Sequence, residues 1–331
     1  MNFRDELRYA ISLRYSHYIE ISTEKEGVAL SRLVYLALIA LSLIWGGSFF
    51  FIKMLLHDFG PWTIAFLRSS TGLIVIVSIM LALKKPFGVR TISWVPMTIM
   101  ALINTAIPWA FIAFSETRLP SSMASVLNAT TPVWTIIVGV LFFRSVSSKR
   151  QWIGIGIATV GIIILLDVNP VTFISVDVLG FGCMIAATFC YAVGSQLSKN
   201  LLTLGYSMYQ VTFGTLLCTT IGSGIMAFST EEISLSHLAS LSNILMLIGL
   251  GVFGSGIAYI LFYYMIQKGS AEFATMVTYL VPCTAVLWGY TLLNEHIKWT
   301  LLVGLVIILT GVFIASRKSK PKYSELLSED Q

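Results

Sequence analysis

The stretch Ala124–Pro132 reads ASVLNATTP, and 150 positions later Ala274–Pro282 reads ATMVTYLVP. The correspondence continues outward: Gly154 and Gly161 recur, at the same offset, as Gly304 and Gly311. A second register, offset by 146, sets Trp45 on Tyr191 and Lys53 on Lys199. Identity between the copies is weak but the spacing is regular, so the chain reads as one unit written twice. Each copy holds five apolar segments of roughly bilayer length. Five crossings per copy place the second copy upside down relative to the first. Inverted repeats of this kind build secondary transporters, whose halves rock about a site near the midplane.

Composition agrees. Of 331 residues, 56% are hydrophobic and 11% charged, against roughly 25% charged in soluble domains. The expected fold class is an all-α membrane protein of ten transmembrane helices in two inverted five-helix repeats. The helices are expected near 32–55, 61–83, 93–114, 119–142, 149–166, 177–200, 206–228, 241–266, 271–292 and 299–316. Strands are excluded because an open sheet edge cannot face lipid. The domain reading is a cytoplasmic N-terminal segment 1–31, a first repeat 32–166, a second repeat 177–316 and a cytoplasmic tail 317–331. Residues 1–31 lack a signal-peptide pattern. They suit either a surface-lying amphipathic segment or a disordered one.

The net charge of +5 does not point to nucleic acid, because the basic residues are scattered at span ends rather than gathered in a stripe. With the N-terminus inside, the inner loops hold Lys84, Lys85, Arg90, Arg144, Lys149, Arg150, Lys199 and Lys268, and the tail adds Arg317, Lys318, Lys320 and Lys322. The outer loops hold only Arg118 and Lys298, with Lys53 near an outer helix end. The positive-inside rule then predicts a multi-pass cell-membrane protein with both termini cytoplasmic. Cys183, Cys190, Cys218 and Cys283 all fall in apolar spans without a C-x-x-C pair and read as small buried hydrophobes. No metal and no cofactor are expected. The expected partners are a small-molecule substrate and the lipid bilayer, and both monomer and homodimer stay open.

The residues expected to line a central substrate cavity are aromatic and polar groups inside spans. Trp45, Phe49 and Lys53 recur at steps of four on one helical face, and Tyr191, Ser195 and Lys199 repeat that spacing in the second copy. Thr105 and Trp109 match Ser255 and Tyr259, and Tyr263 extends that face by a turn. Asn104 and Asn128 are polar side chains in apolar surroundings, which need partners or a wet cavity; Tyr279 stands near the second copy's proline. Tyrosine and tryptophan offer stacking surface together with a polar handle. Pro132 and Pro282 are read as kinks in the fourth and ninth spans. Arg68 lies about seven residues, or roughly 10 Å, into the second span. A charge there is costly and marks a functional group by default, with Glu116 or a substrate carboxylate as its partner. Lys53, Arg68, Glu116 and Lys199 are therefore the charged gate or substrate-contact candidates. The run Gly249-x-Gly251-x-x-Gly254 matches a dinucleotide fingerprint but lacks the strand and βαβ unit that such a site needs.

Trp45-Gly46-Gly47-Ser48-Phe49 through Lys53, Pro61 through Arg68, Ala124 through Pro132, Gln151-Trp152-Ile153-Gly154 with Gly161, and Ala274 through Pro282 followed by Glu295, Gly304 and Gly311 together resemble the EamA-type family of the drug/metabolite transporter superfamily. The resemblance covers about residues 32–316. It implies ten helices in two inverted repeats around an alternately open cavity, and export of amino acids and related metabolites, drugs or nucleotide-linked compounds. The family's acidic residue after the fourth span is matched by Glu295 in the second copy, whereas Ser145 stands there in the first.

These readings point to a secondary transporter exporting amino acids or related small metabolites by alternating access. Drug or toxic-compound efflux, or metabolite uptake, is the alternative on the same fold. A non-transporting membrane scaffold or receptor is the rival of another class. No catalytic residues are assigned: the four histidines lie in tails, loops or at span ends, and the spans hold no aspartate pair or serine–histidine arrangement.

Overall fold

Apolar runs in lipid must satisfy every backbone polar group internally, which leaves helices as the solution for single segments. The computed structural model describes residues 32–143, 149–165, 177–268 and 277–316, and among these every regular element is helical. In chain order these are α1 (Arg32–Leu55), α2 (Pro61–Ala82), α3 (Trp94–Glu116, with a π-helical turn at Leu102–Ala106), α4 (Ser121–Asn128), α5 (Thr131–Phe143), α6 (Lys149–Leu165), α7 (Val178–Thr203) and α8 (Met208–Thr230). The single turn α9 (Leu235–Leu238) follows. Next come α10 (Leu241–Leu247, π-helical Ile248–Ile257, Ala258–Lys268), α11 (Val277–Leu293) and α12 (Trp299–Ser316). Among the described residues, seven helical stretches are long and apolar enough to cross a membrane, one of them the combined run Ser121–Phe142; three further apolar helices, in α6, α11 and α12, are shorter.

Side-chain distribution within α1 shows what the outside of the bundle expects. Leu33, Leu36, Ile39 and Leu43 are exposed along one stripe, while Val34, Ala37, Leu38 and Leu41 are buried. Apolar residues on both faces mean that the exposed stripe meets lipid rather than water.

The repeat glycines are packing residues. A Cβ on Gly161 would lie 2.7 Å from Ile308 N and 3.0 Å from Gly304 O, and one on Gly311 would lie 2.4 Å from Ala158 N and 2.6 Å from Gly154 O. Residues at the two ends of this contact pair crosswise, so α6 and α12 run antiparallel with their backbones in contact, an approach only small residues permit.

The third- and eighth-span regions share an irregularity. The π-helical turn of α3 at Leu102–Ala106, shifted by 150, falls inside the π-helical stretch of α10. In α3 the cause is Pro108, which has no N–H to offer the carbonyl four residues back. In α10 the Ser255 hydroxyl donates to the Leu250 carbonyl, five residues back, at 3.2 Å. Widened turns of this kind cluster at functional sites.

The two prolines behave differently. Pro132 is the second residue of α5, after an interruption at Ala129–Thr130. It starts a helix there instead of bending one, since the first turn leaves its N–H positions unbonded anyway. The Thr130 and Thr131 hydroxyls donate to the Leu127 and Asn128 carbonyls, both at 2.7 Å, which the interruption frees. Pro282 stands inside α11.

Candidate functional site

Arg68 sits on α2 with 4% of its surface exposed. Its Nε donates to Ser255 Oγ at 3.2 Å, and its guanidinium carbon lies 3.8 Å from the centroid of the Trp109 ring. Ser255 is close because α10 carries glycine where α2 passes: a Cβ on Gly251 would collide with the Thr71 hydroxyl and lie 3.2 Å from the Arg68 carbonyl. Among the described residues no carboxylate lies within 4 Å of Arg68. A cation stacked on tryptophan is stabilised by the ring quadrupole, the more so out of water, but its charge is not neutralised.

Around Arg68 runs a ladder of aromatic rings. Trp109 and Trp45 each meet Tyr259 edge-on, at 6.2 and 6.1 Å, and Tyr259 meets Tyr263 at 5.9 Å. The Trp45 indole N–H donates to the Gly254 carbonyl at 3.2 Å. Tyr191, half-buried, packs on the same group and pairs with Trp109. The structure thus brings together Arg68, Trp45, Trp109, Tyr191, Tyr259 and Tyr263. Residues from both sequence copies contribute.

Other expected residues lie elsewhere. Phe49 is buried in the main core, which also holds Ile52 and Leu41, and Tyr279 packs against that core. Asn104 lies in the π-turn of α3, where a Cβ on Gly194 of α7 would come within 2.5 Å of it. Asn128 closes α4, and its buried Oδ1 accepts no hydrogen bond. The side chain of Lys199 and all of Ser145 lie outside the described residues.

Lys53 and Glu116 meet, but not as an ion pair. Lys53 Nζ donates to the backbone carbonyls of Glu116 at 2.5 Å and Leu119 at 3.2 Å, capping the C-terminal end of α3. The Glu116 side chain is fully buried, and neither carboxylate oxygen has a hydrogen-bond partner.

Two carboxylates fasten helix starts at the same end of the bundle. Glu231 accepts from the N–H groups of Trp62 at 2.9 Å and Thr63 at 2.8 Å. Glu295 accepts from Ser121 N and Ser121 Oγ, both at 2.8 Å, and from Ser122 N at 3.1 Å. Carboxylates at helix N-termini complement the dipole and the unbonded N–H groups. For Glu295, burial pushes the carboxyl up, but the bonds from Ser122 and Ser121 outweigh it and hold it below the usual 4.5. The Asn243 amide adds a 2.7 Å bond to Asp58. Sequence reasoning missed these links. The available signal was Pro61 at the start of α2 with Gly60 before it, a start with no side-chain cap of its own. Gly60 leaves room for Glu231: a Cβ there would lie 2.3 Å from the carboxylate.

The EamA-like transporter family model matches the chain twice, over residues 32–167 and 178–317. An "Uncharacterized inner membrane transporter YedA" of Escherichia coli K12 is 28% identical over 82% of this chain and 87% of its own length. An "Uncharacterized transporter" of Archaeoglobus fulgidus is 25% identical over 83% and 94%, and "Protein PecM" of Dickeya dadantii is 22% identical over 84% and 93%. A solved crystal structure, 17% identical, superposes with a TM-score of 0.64 over 86% of this chain and 98% of that one, which shows a shared fold. The protein is a multi-pass membrane protein with a transport role, not an enzyme, and the chain belongs to the EamA-like transporter family.

Proposed function

We propose that the protein is a secondary transporter that exports amino acids or related small metabolites by alternating access, its ten spans forming two inverted repeats, 32–166 and 177–316. The carrying observation is Arg68: a buried cation, stacked on Trp109, held by a neutral hydroxyl and without a carboxylate of its own among the described residues. Such a group suits a substrate carboxylate, since an incoming anion supplies the missing countercharge. Trp45, Tyr191 and Tyr259 supply stacking surface for an apolar side chain.

The inverted arrangement draws support from symmetric contacts. Thr105 of α3 meets Thr219 of α8, while its counterpart Ser255 of α10 meets Arg68 of α2. Thr284 of α11 bonds the Ser42 carbonyl of α1, while Trp134 of α5, its counterpart at an offset of 150, meets Phe189 of α7 edge-on. The crosswise α6–α12 pairing has the same symmetry, in which each contact recurs with the copies exchanged. With both termini cytoplasmic, the end fastened by Glu231 and Glu295 is the outer one, so this packing is closed to the outside. Transport then exchanges it for one in which those links part.

The test is efflux from proteoliposomes loaded with a panel of labelled amino acids. Saturable efflux of a carboxylate-bearing member, lost in Arg68→Ala and absent for the matching amide, supports the reading. Equal movement of acid and amide, or activity untouched by Arg68→Ala, sinks it.

A further inference from the structure

Glu116 is the last residue of α3 and is fully buried, with neither carboxylate oxygen bonded. It stands at the negative end of a helix dipole, where a second negative charge is disfavoured. The charged groups facing it are Lys53 of α1, Arg68 of α2 and Glu295 of the loop after α11. Lys53 gives two of its three donors to the Glu116 and Leu119 carbonyls, and Arg68 is stacked on Trp109. Glu295 is itself an anion committed to Ser121 and Ser122. Nearby Arg118 is paired with Asp177 at 2.9 Å. A buried carboxylate in this setting is left uncompensated, and such a group takes up a proton instead.

We propose that Glu116 is a proton-binding site that couples protonation to the opening of this end of the bundle; the inference rests on the transporter reading above. One carboxylate oxygen accepts a proton from water and returns it to water later, with no other bond changed. In the protonated form the packing described here is stable. On deprotonation the carboxylate demands a cation, and Lys53, already bonded to the Glu116 backbone carbonyl, stands beside it. Pairing with that carboxylate draws Lys53 away from the Glu116 and Leu119 carbonyls. The 117–120 turn it holds leads directly into Ser121 and Ser122, where Glu295 is fastened, so a proton leaving Glu116 loosens the Glu295 link. Proton occupancy and closure thereby become one equilibrium.

Two cargo-free measurements on the full-length protein in lipid nanodiscs test this. Infrared difference spectra across a pH step should show a protonated-carboxyl band that Glu116→Gln removes. Hydrogen exchange at residues 117–122, corrected for intrinsic base catalysis, should rise about tenfold in the wild type as pH increases. It should stay slow in Glu116→Gln and regain pH dependence, with a shifted midpoint, in Glu116→Asp, which also serves if the glutamine variant fails to fold. A band that survives Glu116→Gln, or exchange at 117–122 indifferent to pH in the wild type, overturns the proposal. In proteoliposomes with labelled L-phenylalanine, Glu116→Gln should keep exchange but lose accumulation driven by a pH gradient by at least tenfold. If the wild type moves no L-phenylalanine, that cargo fails while the two cargo-free measurements still decide Glu116.

Discussion

Glu295 Oε1 accepts both the N–H and the hydroxyl of Ser121 at 2.8 Å, joining the loop after α11 to the first turn of α4. This link has a pH signature. The folded carboxyl is held below its ordinary 4.5, so its contribution to stability is fully present above that value and is lost as pH falls through the folded pKa. The melting temperature in detergent should therefore drop on acidification below about 4.5. Glu295→Ala should melt lower at neutral pH and show a flatter acid limb. A parallel acid limb in the variant would remove Glu295 as its source.

The stacking of Arg68 on Trp109 predicts that charge alone is not enough. Arg68→Lys keeps the cation but loses the planar stack and the Nε geometry toward Ser255, and Trp109→Leu keeps an apolar side chain but loses the ring. Each should reduce transport about 10- to 100-fold, corresponding to about 1.4–3 kcal/mol, with folded yield preserved. Initial efflux rates per folded molecule, normalised by size-exclusion yield, provide the check.

Gly156 and Gly161 lie five residues apart on α6 and should respond oppositely to alanine. Nothing lies within 4 Å of a Cβ at Gly156, whereas one at Gly161 meets the backbone N of Ile308 at 2.7 Å. Gly161→Ala should destabilise by about 1–3 kcal/mol through overpacking against backbone that cannot yield. Gly156→Ala should be neutral or stabilising by up to about 1 kcal/mol through helix propensity. Paired thermal or denaturant melts compare them directly.

Topology is testable by labelling. In a background with Cys183, Cys190, Cys218 and Cys283 replaced, Glu232→Cys should react with an impermeant thiol reagent in intact cells. Arg90→Cys should react only after permeabilisation. Both side chains are exposed, so protection reports the side of the membrane. The reverse pattern would invert the orientation and make the end fastened by Glu231 and Glu295 the inner one.

The apolar runs, their lysine and arginine flanks and the 150-residue recurrence from Ala124 to Gly311 were legible in the chain alone. Lipid leaves a long apolar segment little choice but to be a helix, and recurring glycines announce close backbone contact before the partner is known. The repeat aligns Trp109 with Tyr259, and the helical period adds Tyr263 to that face; that Trp45 joins them at Tyr259 is a matter of packing. What the chain could not show were relationships between distant segments. Arg68 stacks on Trp109 instead of pairing with Glu116, and Lys53 bonds the Glu116 carbonyl, leaving its carboxylate unpartnered. Glu231 and Glu295 cap helices that begin some 170 residues earlier. Pro132 opens a helix because the break at Ala129–Thr130 precedes it, whereas Pro282, at the matching position, lies inside one. Local propensity and hydropathy act over a few residues, and so they specify the rods. Which buried charge finds a partner depends on how the rods cross, and that is decided only when both halves pack.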